Sequence, residues 1–176
     1  MNQAIHTVDL LLFFNGDVAE VCGRTTRILH KGIEVEDTVA AMCVFSNGSF
    51  GTIDASTACE PGFPRRIELS GTTGSVILKD DRIVRWQFLD ELPEDEEIRR
   101  SGASGEGMHG GSGNPMAISS EGHRRQISEL ASAILEQRPL STPGAEGRRA
   151  VELICAIYES ARTGNPVFIN PSRTER

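Results

Sequence analysis

Asn2, His6 and Asp9 are spaced i, i+4 and i+7, a spacing that lines three polar groups along one face of a helix. An imidazole flanked one turn away by an amide and by a carboxylate is a held, oriented base. Imidazole is also the side chain whose ordinary titration lies near neutral pH, as proton abstraction from a hydroxyl requires. The rest of this stretch is apolar (Ala4, Ile5, Val8 and Leu10 to Phe14), so the helix is expected to be buried nearly all round. The polar stripe must then meet a hydrogen-bonding partner or a wet cleft, since burying an unpaired polar group costs about 1–3 kcal/mol. Two readings of His6 stand side by side: a general base, or a core histidine satisfied by Asp9. Because the stripe stands at the first residues, the chain reads as the latter part of an enzyme whose front half lies outside it.

Other chemistry-bearing residues read more simply. His30 beside Lys31-Gly32, His109 in a glycine-rich stretch and His123 in the first turn of a helix are solvated surface groups. Asp37 and Asp54 flank a hairpin and could face each other as an acid–base pair, but an Asp at a strand start more often caps a turn, and the structural role is preferred. Gly105, Gly107 and Gly110 spell G-x-G-x-x-G. A dinucleotide fingerprint needs a strand before it and a helix straight after it; polar low-complexity sequence surrounds this one, and Gly111, Gly113 and Pro115 obstruct a helix. It is a chance match. Gly71 to Gly74 lies between strands and is a turn. The four cysteines, Cys22, Cys43, Cys59 and Cys155, lack metal-ligand spacing and read as reduced thiols.

Composition narrows the partners. With 176 residues, 38% hydrophobic and 24% charged, the chain has the make-up of one globular domain, expected over residues 1–176. A net charge of −7 argues against nucleic acid and against anionic membrane surfaces, both of which attract basic proteins. The longest apolar run, Leu10 to Phe14, falls far short of the ~20 residues that span a bilayer. The first residues lack the layout of a secretory leader, and a cytoplasmic protein is expected.

The elements that must position these groups follow in order. Asn15-Gly16 ends the opening helix. Val18 to Leu29 is extended. Thr38 to Phe45 and Phe50 to Ser56 flank Asn47-Gly48, a hairpin signal. Ile67 and Leu69, then Val76 and Leu78, then Val84, Trp86 and Phe88 continue a meander of alternating strands. Residues 89–115 run from acidic to glycine-rich without periodicity and are expected to be a mobile loop within the domain. A helix with the stripe Ile127, Leu130, Ala131, Ile134 and Leu135 comes next. In a second helix Thr142 caps the start, Pro143 takes the first helical position, and Ala150, Val151, Ile154, Ile157, Tyr158 and Ala161 form the stripe until Gly164 and Pro166 stop it. VFIN near the C-terminus suits an edge strand. Helix, strands, helices is the order of an α+β two-layer sandwich: an open, mostly antiparallel sheet with helices packed on one face.

Five segments in this order, MNQAIHTVDLLLFFNGDV, IEVEDTVAAMCVFSNGSFGTIDAST, PGFPRRIELSGTTGSVILKDDRIVRW, EGHRRQISELASAILEQRP and EGRRAVELICAIYESARTGNPV, resemble the C-terminal domain of the Gfo/Idh/MocA family of NAD(P)-dependent oxidoreductases. The resemblance runs over nearly the whole chain. It implies a substrate-binding and oligomerisation domain that works with a separate Rossmann domain, in cis or in trans, on a sugar, polyol or related CH–OH substrate. It implies a homodimer or tetramer built through the open sheet face. NAD or NADP would bind in the complete enzyme, and this chain alone would bind neither cofactor nor metal. His6 falls on the family's catalytic histidine. Many members carry an Asp one turn before it; Asn2 stands there instead, which removes a carboxylate that would raise the basicity of His6. The resemblance assigns Asn2 and Gln3 to substrate hydroxyls, and Arg65 and Arg66 to the lining of the cleft. The competing expectation is a free-standing, non-enzymatic module derived from the same family, which dimerises or binds a small ligand.

Overall fold

A computed structural model describes residues 1, 4–80, 82–104 and 121–169. The elements run α1 (Ile5–Asn15), β1 (Val18–Thr26), β2 (Thr38–Phe45), β3 (Phe50–Ser56), β4 (Arg66–Ser70), β5 (Gly74–Lys79), β6 (Arg82–Phe88), α2 (Pro93–Ser104), α3 (Glu121–Leu135), α4 (Gly144–Thr163) and β7 (Val167–Phe168). The fold is α+β, as expected, with antiparallel pairing throughout. Its strands form two sheets, β3-β2-β1-β7 and β4-β5-β6. The chain divides into two compact units, Met1–Glu60 with Ser141–Arg176 and Pro61–Leu140.

In the first unit the strands alternate as a half-buried sheet must. Val39, Ala41, Cys43 and Phe45 of β2 are buried, while Ala40 and Met42 between them are exposed. The inner face packs with Val8 and Leu12 of α1 and with Ala150, Leu153, Ile154, Ala156 and Ile157 of α4 in one cluster. That burial selects the register, because a slip by one residue would turn every apolar side chain outward. The Asn47-Gly48 turn forms as its sequence demands, with Gly48 at φ 85°. Gly23 shows how close the layers lie: a Cβ there would meet Ile157 Cγ2 at 2.9 Å and the Ile157 carbonyl oxygen at 3.2 Å. The C-terminal VFIN does supply an edge strand, pairing Val21 with Val167 and Glu20 with Phe168.

Helix α4 begins one residue later than its sequence suggested. Pro143 is the extended residue flanking the helix (φ −70°, ψ 161°) and no side chain caps it. The Gly164 stop is as expected: φ is 77°, and its N–H donates to the Ser160 carbonyl. Helix α1 departs further from expectation. Only Val8 and Leu12 are buried, and Phe13 is 78% exposed. Ile5 and Leu11 pack partly buried against the core, while Phe13 and Phe14 lie open within this chain.

The second unit is the three-stranded meander with α2 and α3. Trp86 and Phe88 share a face of β6, with ring centroids 5.2 Å apart. Residues 93–104 correct the expected loop: they form α2. Pro93 at the first position and Glu94, Asp95 and Glu96 in the first turn suit a helix N-terminus. Asp95 fastens it, accepting from Trp86 Nε1 at 2.7 Å and from the Leu92 N–H at 2.7 Å. Residues 105–115, the remainder of that expected loop, with the G-x-G-x-x-G pattern and His109, lie outside the described residues. No helix among the described residues is long and apolar enough to cross a membrane.

Candidate functional site

Helix α1 carries His6 and is held at both ends by α4. At its C-terminal end Arg149 of α4 donates to the Leu12 carbonyl at 3.3 Å and to Asp17 Oδ1 at 2.7 Å. The Gly16 N–H also reaches the Leu12 carbonyl, at 2.9 Å. The hairpin turn finishes this end: Asn47 Nδ2 donates to the Asn15 carbonyl at 3.0 Å, and Asn15 Nδ2 to Ser49 Oγ at 2.8 Å. These bonds satisfy carbonyls that a helix end leaves without partners.

The N-terminal end has no side-chain cap and no acidic residue in its first turn. Its N–H groups turn instead to Met1, whose carbonyl accepts from Ala4 and Ile5, each at 3.1 Å. The Met1 nitrogen donates to Glu36 Oε1 and, at 3.2 Å, to the Tyr158 hydroxyl. The Tyr158 hydroxyl in turn donates to Glu36 Oε1 at 2.8 Å. Burial alone would raise the Glu36 carboxyl, but the Met1 nitrogen and the Tyr158 hydroxyl outweigh it and hold Glu36 below its ordinary value. Burial, and then the Glu36 carboxylate, push the Tyr158 phenol up to about 12, which keeps it a donor.

His6 itself is exposed, as is Asp9, and among the described residues the two make no hydrogen bond to each other. The imidazole is therefore exposed rather than spent on a core contact. Asn2 and Gln3 lie outside the described residues. Arg65 and Arg66 belong to the second unit. Arg65 donates to the Asp80 carbonyl at 3.2 Å, and Arg66 pairs with Glu68.

The other candidates resolve into structural roles. Asp37 is buried and accepts from the backbone N–H groups of Ile28, Leu29 and His30 at 2.8, 2.8 and 2.9 Å, and from the Thr38 hydroxyl at 3.1 Å. Its burial would raise the carboxyl, but these four donors hold it far below the usual carboxylate range. Asp37 thus fixes the β1–β2 loop, while Asp54 is exposed on β3 opposite Ala40, so the two form no acid–base pair. His30 is exposed and its Nε2 meets the Thr57 carbonyl at 3.1 Å; His123 is exposed. Burial pushes the Cys43 thiol up to about 11, which makes it a poor nucleophile. A shallow groove of about 460 Å³ runs along β6 in the second unit, lined by Arg85, Trp86, Glu91 and Arg99 among others. Its arginines are engaged by Gln87 and by Glu91 and Glu96.

Sequence reasoning singled out His6 and not Glu36 or Tyr158. Tyr158 stands in the sequence as one more member of the α4 stripe, and nothing there singles out Glu36. Only the fold brings two residues 122 positions apart to a shared hydrogen bond.

Known proteins resemble this chain over most of its length. The GFO/IDH/MocA C-terminal domain family profile matches residues 1–77. A D-apiose dehydrogenase from Rhizobium rhizogenes (strain K84) is 29% identical, with 94% of this chain aligned to 47% of the relative. The crystal structure of the WlbA dehydrogenase from Bordetella pertussis, in complex with NADH and UDP-GlcNAcA, is 28% identical and superposes with a TM-score of 0.80 over 98% of this chain and 48% of that one. A levoglucosan dehydrogenase solved with NADH and levoglucosan has the same fold, with a TM-score of 0.71 at 22% identity over 96% of this chain and 49% of that one. The chain spans about half the length of these relatives. Its residues 1–77 are thus similar to the C-terminal domain of the GFO/IDH/MocA family.

Proposed function

We propose that this chain is the substrate-binding and oligomer-forming part of an NAD(P)-dependent oxidoreductase that acts on a sugar, polyol or related CH–OH substrate in the cytoplasm. The observation that carries the reading is His6: an exposed imidazole on a helix tied down at both ends, within the segment that matches the family profile. The substrate class follows from the relatives at similar identity, one named for D-apiose and one solved with UDP-GlcNAcA.

His6 accepts the proton of the substrate hydroxyl as the carbinol carbon gives up its C–H electron pair as hydride, which leaves a carbonyl. The nicotinamide of NAD(P), bound in the complete enzyme, is the hydride acceptor. Asn2 and Gln3 bind neighbouring hydroxyls. Without the Asp that many members carry one turn earlier, His6 works with less electrostatic help, and its placement matters correspondingly more.

The outer face of the first unit's sheet supports self-association. Met42, Phe50 and Phe168 are exposed there, and Arg24 and Asp54 stand on either side of Ala40 in register. A face with apolar side chains and charges of both signs suits pairing with a second copy about a two-fold axis. The same face favours a second reading, a non-enzymatic dimerisation module. The two are separated by joining this chain to a nucleotide-binding half and supplying NAD⁺ or NADP⁺ with a panel of aldoses and polyols. Substrate-dependent growth of absorbance at 340 nm supports the enzyme; no reduction with any member of the panel, by a folded protein that binds the cofactor, leaves the module. A monomeric mass by light scattering at micromolar concentration contradicts self-association.

A further inference from the structure

Both ends of α1 are tied to α4, but by different means. The C-terminal tie is spread over Arg149, Gly16 and the Asn47 turn. The N-terminal tie converges on one carboxylate oxygen, Glu36 Oε1, which receives both the Met1 nitrogen and the Tyr158 hydroxyl. Arg149 and Tyr158 lie nine positions apart on α4, about 13 Å along its axis. This spacing lets one helix brace both ends of an antiparallel neighbour. Met1 packs against the core, Tyr158 does likewise, and the Glu36 side chain is 8% exposed, so the clamp is largely shielded from water. The bond from the Tyr158 hydroxyl to Glu36 Oε1 does not depend on the charge at the Met1 nitrogen. The Met1 carbonyl then starts the helix, and His6 stands one turn further along.

We propose that Glu36 and Tyr158 are positioning residues for His6: the carboxylate, bridged to the α4 hydroxyl, sets where the first turn of α1 begins and so where the imidazole is presented. The functional part of this inference rests on His6 as the base; the structural part does not. Neither residue touches the reacting atoms. They act through the helix start, which has no side-chain cap of its own to hold it.

The test has two readouts. In this chain, amide hydrogen exchange is compared between the wild type, Tyr158→Phe and Glu36→Ala. Tyr158→Phe keeps the ring and removes one hydrogen bond to a charged group. The expected result is about tenfold faster exchange at the first-turn amides, Thr7 and Val8, with Gly16 and the β1–β2 ladder unchanged. Unchanged exchange at the first turn overturns the clamp, and so does an equal loss throughout the first unit, which would make the pair general core support. In the complete dehydrogenase, Tyr158→Phe is expected to lower kcat about tenfold and leave KM within about twofold. In a His6→Ala background the same change is expected to have no further effect. Additive losses overturn the claim that Tyr158 acts through His6. Should His6→Ala itself leave turnover intact, the base assignment fails, and the exchange result still decides the clamp.

Discussion

The two units are held together in different ways. In the first, thirteen buried apolar residues from α1, β1, β2 and α4 make one continuous cluster. In the second, Ile67 and Ala133 are the buried apolar residues among those described. Much of its order comes from polar contacts: Asp95 joins the Trp86 indole to the start of α2, and Arg99 donates to the Trp86 carbonyl at 3.1 Å. The apolar stripe of α3 is left open, with Ile127 and Ile134 67–68% exposed. Apolar area removed from water is worth about 25 cal/mol per Å², so the first unit carries most of the stability this chain has on its own. It also carries His6. A side chain held by a packed core is presented more reproducibly than one on a segment fixed by surface hydrogen bonds.

Substitutions sharpen that contrast. The largest stability loss is expected for Leu153→Ala, whose side chain is 1% exposed at the centre of the cluster; about 2–5 kcal/mol follows from lost transfer energy and the cavity left behind, read by denaturant unfolding. Gly23→Ala tests layer spacing, since the added methyl meets the Ile157 backbone as well as its side chain, and a loss of about 1–3 kcal/mol is expected. Ser160→Ala should cost a similar or smaller amount, about 1–3 kcal/mol. Its buried hydroxyl accepts from the Gly23 N–H at 2.9 Å and donates to the Asn165 carbonyl at 2.7 Å, and the change leaves both without this partner. In the second unit Trp86→Phe removes the indole donor to Asp95 while keeping an aromatic ring. About 1 kcal/mol is expected, with the loss confined to α2 and β6 by hydrogen exchange. Equal global losses from Leu153→Ala and Trp86→Phe would contradict the contrast.

The acid side of the stability curve makes a further comparison. Asp37 and Glu36 in the first unit and Asp95 in the second all have carboxyls lowered in the folded chain. A lowered carboxyl binds its proton less readily folded than unfolded. Its contribution is complete above the ordinary carboxylate value of about 4 and is lost as pH falls from there toward the folded value. Unfolding free energy should therefore be flat with respect to these groups near neutrality and fall below about pH 4. Asp37→Asn should lower stability at neutral pH and flatten that acid slope, because Asp37 is the most strongly shifted of the three. An unchanged slope in the variant would contradict the role given to its four donors.

Much of this was legible in the chain where local rules act. The Asn47-Gly48 hairpin, the α4 stripe with its Gly164 stop and the VFIN edge strand follow from turn chemistry and periodicity, which need only neighbouring residues. Helix α2 was not read because its acidic run resembles a solvated loop; the usable signals were Pro93, the acids of the first turn and Glu96 placed i, i+3 and i, i+4 to Arg99 and Arg100. The near-complete burial expected for α1 fails in this chain because side chains such as Phe13 lie open. His6 stood out as a candidate from residue type, spacing and family resemblance. The Glu36–Tyr158 clamp did not, since it depends on strands and helices meeting across most of the chain's length, and Arg65 and Arg66 stand in a different unit from His6.

The most direct test of the account is the pH–rate profile of the complete dehydrogenase with His6 intact and with His6→Ala. The account predicts that kcat falls by about 10²–10⁴-fold in the variant, and that the shape of the profile changes with it. Near-normal turnover with an unchanged profile would show that His6 is not the base.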